Sequence, residues 1–241
     1  MRVVVTVAAG SLQGLDDLLT LAGFEVDVCP LLTFGPPDSW RPVDRALKRW
    51  ETFSNVVFTS PRAARAFCGR LEQLGVVPTS GPTLWAGGPA TAAALGKDLD
   101  PVNTVELRGG VGPGQGLGET LIASGVKGPV LYLCGDPHRE EFAALLRQCD
   151  VEVVEVVCYR SLLVGTDEVR AAVEVADIVV VGSPRVVECI AATNDTSDSP
   201  RLVALGPTTA RAATMVGWQP ASVALSPSIE DVSRAVEEAA L

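Results

Sequence analysis

Two stretches of this chain are near-copies of two others, and that duplication limits the fold more than any single motif. VVFTSPRAARAF (56–67) aligns with VVVGSPRVVECI (179–190), with five of twelve positions identical. LWAGGPATAAAL (84–95) aligns with LVALGPTTARAA (202–213), with seven of twelve identical. Each copy then runs through a further valine-containing strand into a last helix. A weaker pattern repeats as strand, loop, helix and strand. In it MRVVVTVAAGSLQGLDDLLTLAGFEV (1–26) matches PVLYLCGDPHREEFAALLRQCDVEV (129–153), with Leu15, Leu18 and Leu19 opposite Phe142, Leu145 and Leu146. The order along the chain is short unit, long unit, short unit, long unit.

The valine-rich runs predict strands at 2–7, 24–28, 55–59, 83–86, 102–107, 129–133, 151–156, 177–181, 201–205 and 222–225, with helices between most of them. Near-continuous apolar strands alternating with helices imply parallel sheets covered on both faces. A short unit supplies two strands and a long unit three, so the pattern predicts two similar α/β domains, each a five-stranded doubly wound parallel sheet. Two pairings satisfy it. Neighbouring units can make tandem domains, or the first short unit can join the last long unit with the second domain inserted. In the second case PLLTFGPP (30–37) and VVCYRSLLV (156–164) are two crossing linkers.

Composition removes several function classes. The net charge is −10, with 29 acidic and 19 basic residues. Such a surface makes nucleic acid a poor partner, because phosphate binding needs clustered Lys and Arg. No apolar run reaches the ~18 residues that span a bilayer, so no membrane partner is expected. The N-terminal run reads as a first strand rather than a signal peptide, since Asp16 and Asp17 follow closely. Six scattered cysteines without a CxxC pair read as reduced, mostly buried thiols of a cytoplasmic protein. A single histidine, His138, excludes a His-dominated metal site.

RGGVGPGQGLGETL (108–121), between a strand and a helix, raises the question of a phosphate cradle. The Gly-Lys-Ser/Thr ending of a Walker loop is absent, and Gly-x-Gly-x-x-Gly fits no register, since Gly110 and Gly112 would need a glycine at Gln115. Its counterpart in the other long unit, SPSIEDVSRAV (226–236), has no glycine at all. The segment reads as a flexible turn with several positive-φ positions, or as a mobile lip of a cleft. A nucleotide or sugar-phosphate enzyme is thereby disfavoured.

Open parallel sheets bind ligands beyond the carboxyl ends of their strands. Four matched helix starts lie there: Ser60-Pro61, Ser183-Pro184, Gly88-Pro89 and Gly206-Pro207. A Ser or Gly cap before proline leaves unpaired N–H groups at the positive end of a helix dipole, which suits a carboxylate. Any one such start is an ordinary cap. Four of them, two per domain, converge on one cleft if the domains face each other, and a ligand with many carboxylates would suit that cleft. Arg62 and Arg185 occupy matched positions one residue inside their helices, as carboxylate partners or as solvated first-turn side chains. His138 near Asp136 reads as a loop histidine rather than a catalytic dyad. Tyr159, in the second linker, is either a packing residue or a proton donor.

At these residues the chain resembles the uroporphyrinogen-III synthase family. The resemblance rests on the two VVFTSP/VVVGSP segments, on WAGGPATAAAL with ALGPTTARAA, and on VLYLCGDPHREEFAALLRQCDVEVVEVVCYRS, and it covers essentially the whole chain. It implies an inserted domain at 36–157, a discontinuous domain of 1–33 plus 162–241, and a two-stranded linker. It implies a cofactor-free, metal-free monomer whose small-molecule substrate is hydroxymethylbilane, closed to the type III macrocycle with loss of water and inversion of ring D. It places the family tyrosine on Tyr159, which helps the hydroxymethyl group leave, and substrate carboxylates on Ser60, Arg62, Gly88, Ser183, Arg185, Gly206, Thr208 and Thr209. The alternative is a non-catalytic two-domain binder of an acidic metabolite or tetrapyrrole. The chain departs from the family at Val7 and Cys134, where arginine is usual.

Overall fold

The computed structural model describes residues 1–76, 78, 81–96, 99, 102–105, 112–193 and 199–241. The chain divides into two compact units, Met1–Thr33 with Leu162–Leu241, and Phe34–Ser161.

In the first unit, strands β1 (Arg2–Val5), β2 (Glu25–Val28), β9 (Ile178–Val181), β10 (Arg201–Ala204) and β11 (Pro220–Val223) form one sheet in the order β11-β10-β9-β1-β2. β1 pairs with β2 and β9, and β10 with β9 and β11, all in parallel. Helices α1 (Leu15–Leu21) and α10 (Ile229–Ala240) cover one face. Helices α7 (Thr166–Glu174), α8 (Pro184–Thr193) and α9 (Pro207–Met215) cover the other. The central strands are apolar and buried apart from the arginines that open β1 and β10, as two covered faces require. β11 begins two residues earlier than the pattern predicts. Pro220 opens it at the sheet edge, where a missing N–H is tolerated, and Leu225 is left exposed.

The second unit contains β3 (Leu32–Gly35, shared with the first), β4 (Asn55–Phe58), β5 (Thr83–Ala86), β6 (Val102–Thr104), β7 (Val130–Asp136) and β8 (Val153–Leu163), in the order β3-β8-β7-β4-β5-β6. Helices α2 (Arg41–Lys48), α3 (Pro61–Leu74) and α4 (Pro89–Leu95) pack one face, and α5 (Pro113–Ala123) and α6 (Glu141–Gln148) the other. The end of the expected strand 102–107 and residues 108–111 of the glycine segment lie outside the described residues.

The duplication is visible in the register. Val4 pairs with Val179, and Leu131 pairs with Val56, the residue that the repeat sets opposite Val179. Leu15 and Leu19, like Phe142 and Leu146, are fully buried, as their alignment requires. In each sheet the two-strand unit meets the three-strand unit at a switch point, β1/β9 in one and β7/β4 in the other. Crevices for ligands open at such points.

One expectation is extended and one is corrected. The segment 156–164 crosses between the units, whose boundary at Ser161/Leu162 lies inside it, as does 30–37 with its boundary at Thr33/Phe34. The segment 156–164 also continues β8, and it pairs with β3, with Val164 N–H bonded to the Leu31 carbonyl and Arg160 to that of Pro36. The glycine segment is not a flexible turn where it is described. It is helical from Pro113, and none of its described glycines has positive φ. A Cβ on Gly114 would lie 3.6 Å from Phe142, and one on Gly118 3.2 Å from Leu145. Two glycines four apart let α5 lie close on α6, and this packing outweighs their poor helix propensity.

Candidate active site

The clearest constellation stands beyond the carboxyl ends of β4 and β7, at the switch point of the second unit. Thr59 and Ser60 follow the end of β4. Ser60 is the N-cap of α3, accepting from the Ala63 N–H at 3.2 Å, and Pro61 fills the first helical position. Fourteen residues of helix lie behind that start, so its free N–H groups carry the full positive end of the dipole.

Tyr159 reaches this start from β8. A strand turns alternate residues to opposite faces, so Val156 and Cys158, packed on the α3 side, predict Tyr159 on the α6 side. Instead a bulge lies between the pairs Cys134–Val157 and Gly135–Tyr159. The extra residue turns the tyrosine over, and it packs with Cys158 on the α3 side. Its hydroxyl lies 3.5 Å from Ser60 Oγ. Gly135 makes the ring's seat: a Cβ there would stand 2.6 Å from the Tyr159 hydroxyl oxygen and 2.7 Å from Cε2.

Arg62 completes the group. Its guanidinium carbon lies 3.3 Å from the centroid of the Phe34 ring and 6.0 Å from that of Tyr159. Burial pulls its pKa below the usual arginine value; the Tyr159 hydroxyl acts the other way and Arg65 adds to the lowering. Other arginines of the unit hold acids: Arg70 with Asp44, Arg147 with Glu155, Arg160 with Asp38. Among the described residues no carboxylate bonds Arg62.

A polar layer beneath fixes the loop after β7. Tyr132 is buried and shares a 3.0 Å hydrogen bond with Thr59 Oγ1, and burial pushes its phenol up to about 12. His138 does not pair with Asp136. Its Nδ1 faces the Gly135 carbonyl at 3.0 Å and its Nε2 faces Glu155 at 2.6 Å. Burial works against the Glu155 charge, but the hydrogen bonds from His138 and Arg147 outweigh it and hold the carboxyl low.

The remaining expected residues are distributed as follows. Gly88 opens the seven-residue α4 in the same unit. Ser183, Arg185, Gly206, Thr208 and Thr209 belong to the first unit, at the starts of α8 and α9. The Ser183 carbonyl accepts from the Val186 and Val187 N–H groups. Nothing lies within 4 Å of where a Cβ would stand on Gly88 or Gly206, so a ligand can approach both backbones. Thr208 is exposed, whereas Thr209 is buried, as is Thr91 at the matched position. Val7 and Cys134, where the resemblance implies arginine, are core residues, Val7 lying 3.2 Å from the Cβ position of Gly182. No group of three or more His, Cys, Asp or Glu among the described residues is arranged to hold a metal ion. No helix among them is long and apolar enough to cross a membrane. Reading the sequence missed Phe34, Gly135 and Tyr132. Gly135 carried the one available signal, a glycine inside a strand, which marks a bulge or a close approach.

Comparison with known proteins bears on the family and the fold. A family model described as uroporphyrinogen-III synthase HemD matches residues 13–233. The fold is similar to a solved mutant uroporphyrinogen III synthase from Thermus thermophilus, with 16% identity, a TM-score of 0.72, and coverage of 100% of this chain and 98% of that one. It is also similar to a uroporphyrinogen-III synthetase from Helicobacter pylori, with 19% identity, a TM-score of 0.60, and coverage of 98% and 99%. No curated protein matches the chain by sequence. With the family pattern extending over nearly its whole length, the chain belongs to the uroporphyrinogen-III synthase family, enzymes that are cyclising lyases acting on a small molecule.

Proposed function

We propose that this chain closes hydroxymethylbilane to uroporphyrinogen III, with Tyr159 as the proton donor. The observation that carries this reading is the meeting of three groups: the Tyr159 hydroxyl, the capped start of α3 at Ser60, and Arg62, which no carboxylate among the described residues bonds. The substrate is a flexible polyanion. Amide-rich helix starts and one desolvated arginine receive its acetate and propionate groups without a nucleophile. Ser60, Arg62 and Gly88 supply such donors in one unit, and Ser183, Arg185, Gly206, Thr208 and Thr209 in the other, Thr209 through its backbone N–H.

Tyr159 hands its proton to the hydroxymethyl oxygen as the C–O bond breaks, and water leaves. The azafulvene cation that remains is attacked by the substituted carbon of ring D, giving a spiro intermediate. The old bond to ring D then breaks, ring D turns, and the new bond closes the macrocycle. The proton released on closure restores the tyrosine. No electrons enter or leave, so the chemistry asks for positioning, charge stabilisation and one proton. We infer from this that no cofactor takes part. The six free cysteines fit a reducing cytoplasm, and we propose that the protein works as a monomer.

The test is the isomer formed. Hydroxymethylbilane left alone closes to the type I macrocycle. Incubation with this protein, followed by chromatographic separation, is expected to give the type III isomer in excess. Type I alone, at the spontaneous rate, would remove the synthase reading.

A further inference from the structure

We propose that Phe34 is a positioning residue of this site, whose ring holds the Arg62 guanidinium in place of an acid and so leaves its charge and its N–H donors for a substrate carboxylate. The proposal rests on the polyanionic substrate argued above.

An arginine partly withdrawn from water normally takes a carboxylate, and this chain has 29 acids for 19 bases. Asp44 shows the usual solution in the same unit. It accepts from Arg70 Nε at 2.8 Å and from Nη2 at 2.7 Å, and those donors are then used up. A substrate carboxylate arriving at such a pair would have to displace the resident acid. At Arg62 the partner is an aromatic face. The ring quadrupole attracts the cation, adds no negative charge and accepts no in-plane hydrogen bond. Among the described residues no acid neutralises the guanidinium, while its freedom is reduced, and less entropy remains to be lost when a carboxylate binds.

Phe34 is itself held firmly. β3 pairs with β8, the strand that carries Tyr159, and the Phe34 and Tyr159 rings meet edge to face at 6.1 Å. Just beyond, Arg160 bonds the Pro36 carbonyl at 3.1 Å and the Asp38 carboxylate. Arg62, one residue into α3, is therefore set against the strand of the proton donor by an aromatic contact.

The test measures affinity for uroporphyrin III, the stable oxidised form of the product, by titration calorimetry, with turnover of hydroxymethylbilane measured separately. Phe34→Leu is expected to weaken binding about two- to thirtyfold, the span that cation–π strengths imply. It should raise KM with kcat changed less than about twofold. Phe34→Tyr keeps an aromatic face and is expected to restore both. In an Arg62→Gln background, Phe34→Leu should have no further effect. The proposal is overturned if Phe34→Leu binds like the parent, if it weakens Arg62→Gln by the same factor, if leucine and tyrosine behave alike, or if the parent does not bind the porphyrin. Normal binding with type I product alone would instead count against the synthase reading and leave the role of Phe34 in binding intact.

Discussion

Replacing Gly135 by alanine tests the site while every side chain assigned to the substrate keeps its identity. The new Cβ would stand 2.6 Å from the Tyr159 hydroxyl oxygen and 2.7 Å from Cε2. Comfortable packing begins near about 3.5 Å, so the ring tip must retreat by about 1 Å. What retreats is the far end of a half-exposed side chain, not backbone. The strain therefore falls near the low end of the ~1–3 kcal/mol typical of overpacking. The smaller unfolded-state entropy of alanine returns ~0.4–1 kcal/mol, and the net change in stability is close to zero. Catalysis has no such relief. The Tyr159 hydroxyl is at the 3.5 Å limit of contact with Ser60 Oγ, and a displacement of about 1 Å in a reacting group lowers rates by about 100-fold. Gly135→Ala is expected to keep its melting temperature within a few degrees while kcat falls by about two orders of magnitude. The assay pairs thermal unfolding with initial rates of hydroxymethylbilane consumption. A folded variant with parental kcat would refute the claim that the seat of Tyr159 governs turnover.

Three further expectations follow from the same contacts. Tyr132 has its phenol raised from about 10 in the unfolded chain to about 12 in the fold. The buried neutral form thus contributes stability that is complete below about pH 10 and lost as pH rises toward about 12; Tyr132→Phe should flatten this alkaline loss in urea midpoints, and an unchanged slope would contradict it. Gly118→Leu drives a side chain into Leu145 and Phe142 and should destabilise by ~1–3 kcal/mol, seen as a melting temperature lower by about 2–4 °C per kcal/mol; no change would mean that α5 does not rest closely on α6. Exhaustive treatment with a chelator should leave the rate of type III formation unchanged, and a loss restored by a divalent metal would overturn the cofactor-free reading.

Much of the architecture could be read from the residues. Short apolar runs, most of them rich in valine, marked the ten expected strands, and the duplicated Ser-Pro and Gly-Pro dipeptides marked the starts of α3, α4, α8 and α9, because both signals are local. What escaped depends on contacts between distant residues. Alternation along VVCYRS points Tyr159 away from α3, and only pairing with β7 creates the bulge that reverses it. Phe34 sits in a Pro-flanked segment that reads as linker; its role depends on Arg62, 28 positions later. The partner of His138 is Glu155 rather than nearby Asp136, a choice set by two adjacent strands. The glycines after 112 looked like a turn by propensity, and the spacing of Gly114 and Gly118 on one helical face was the stronger signal.

The most direct test of the account is the turnover number of Tyr159→Phe, measured on a variant whose unfolding curve matches the parent. Removing the hydroxyl alone keeps the ring against Phe34 and over Gly135, and takes away only the proton that the leaving hydroxyl group needs. General acid catalysis contributes about 10²–10⁴ in rate, so kcat should fall by at least about 100-fold, KM should change little, and spontaneous type I product should come to dominate. Parental kcat with type III product would contradict the account and reduce Tyr159 to a packing residue.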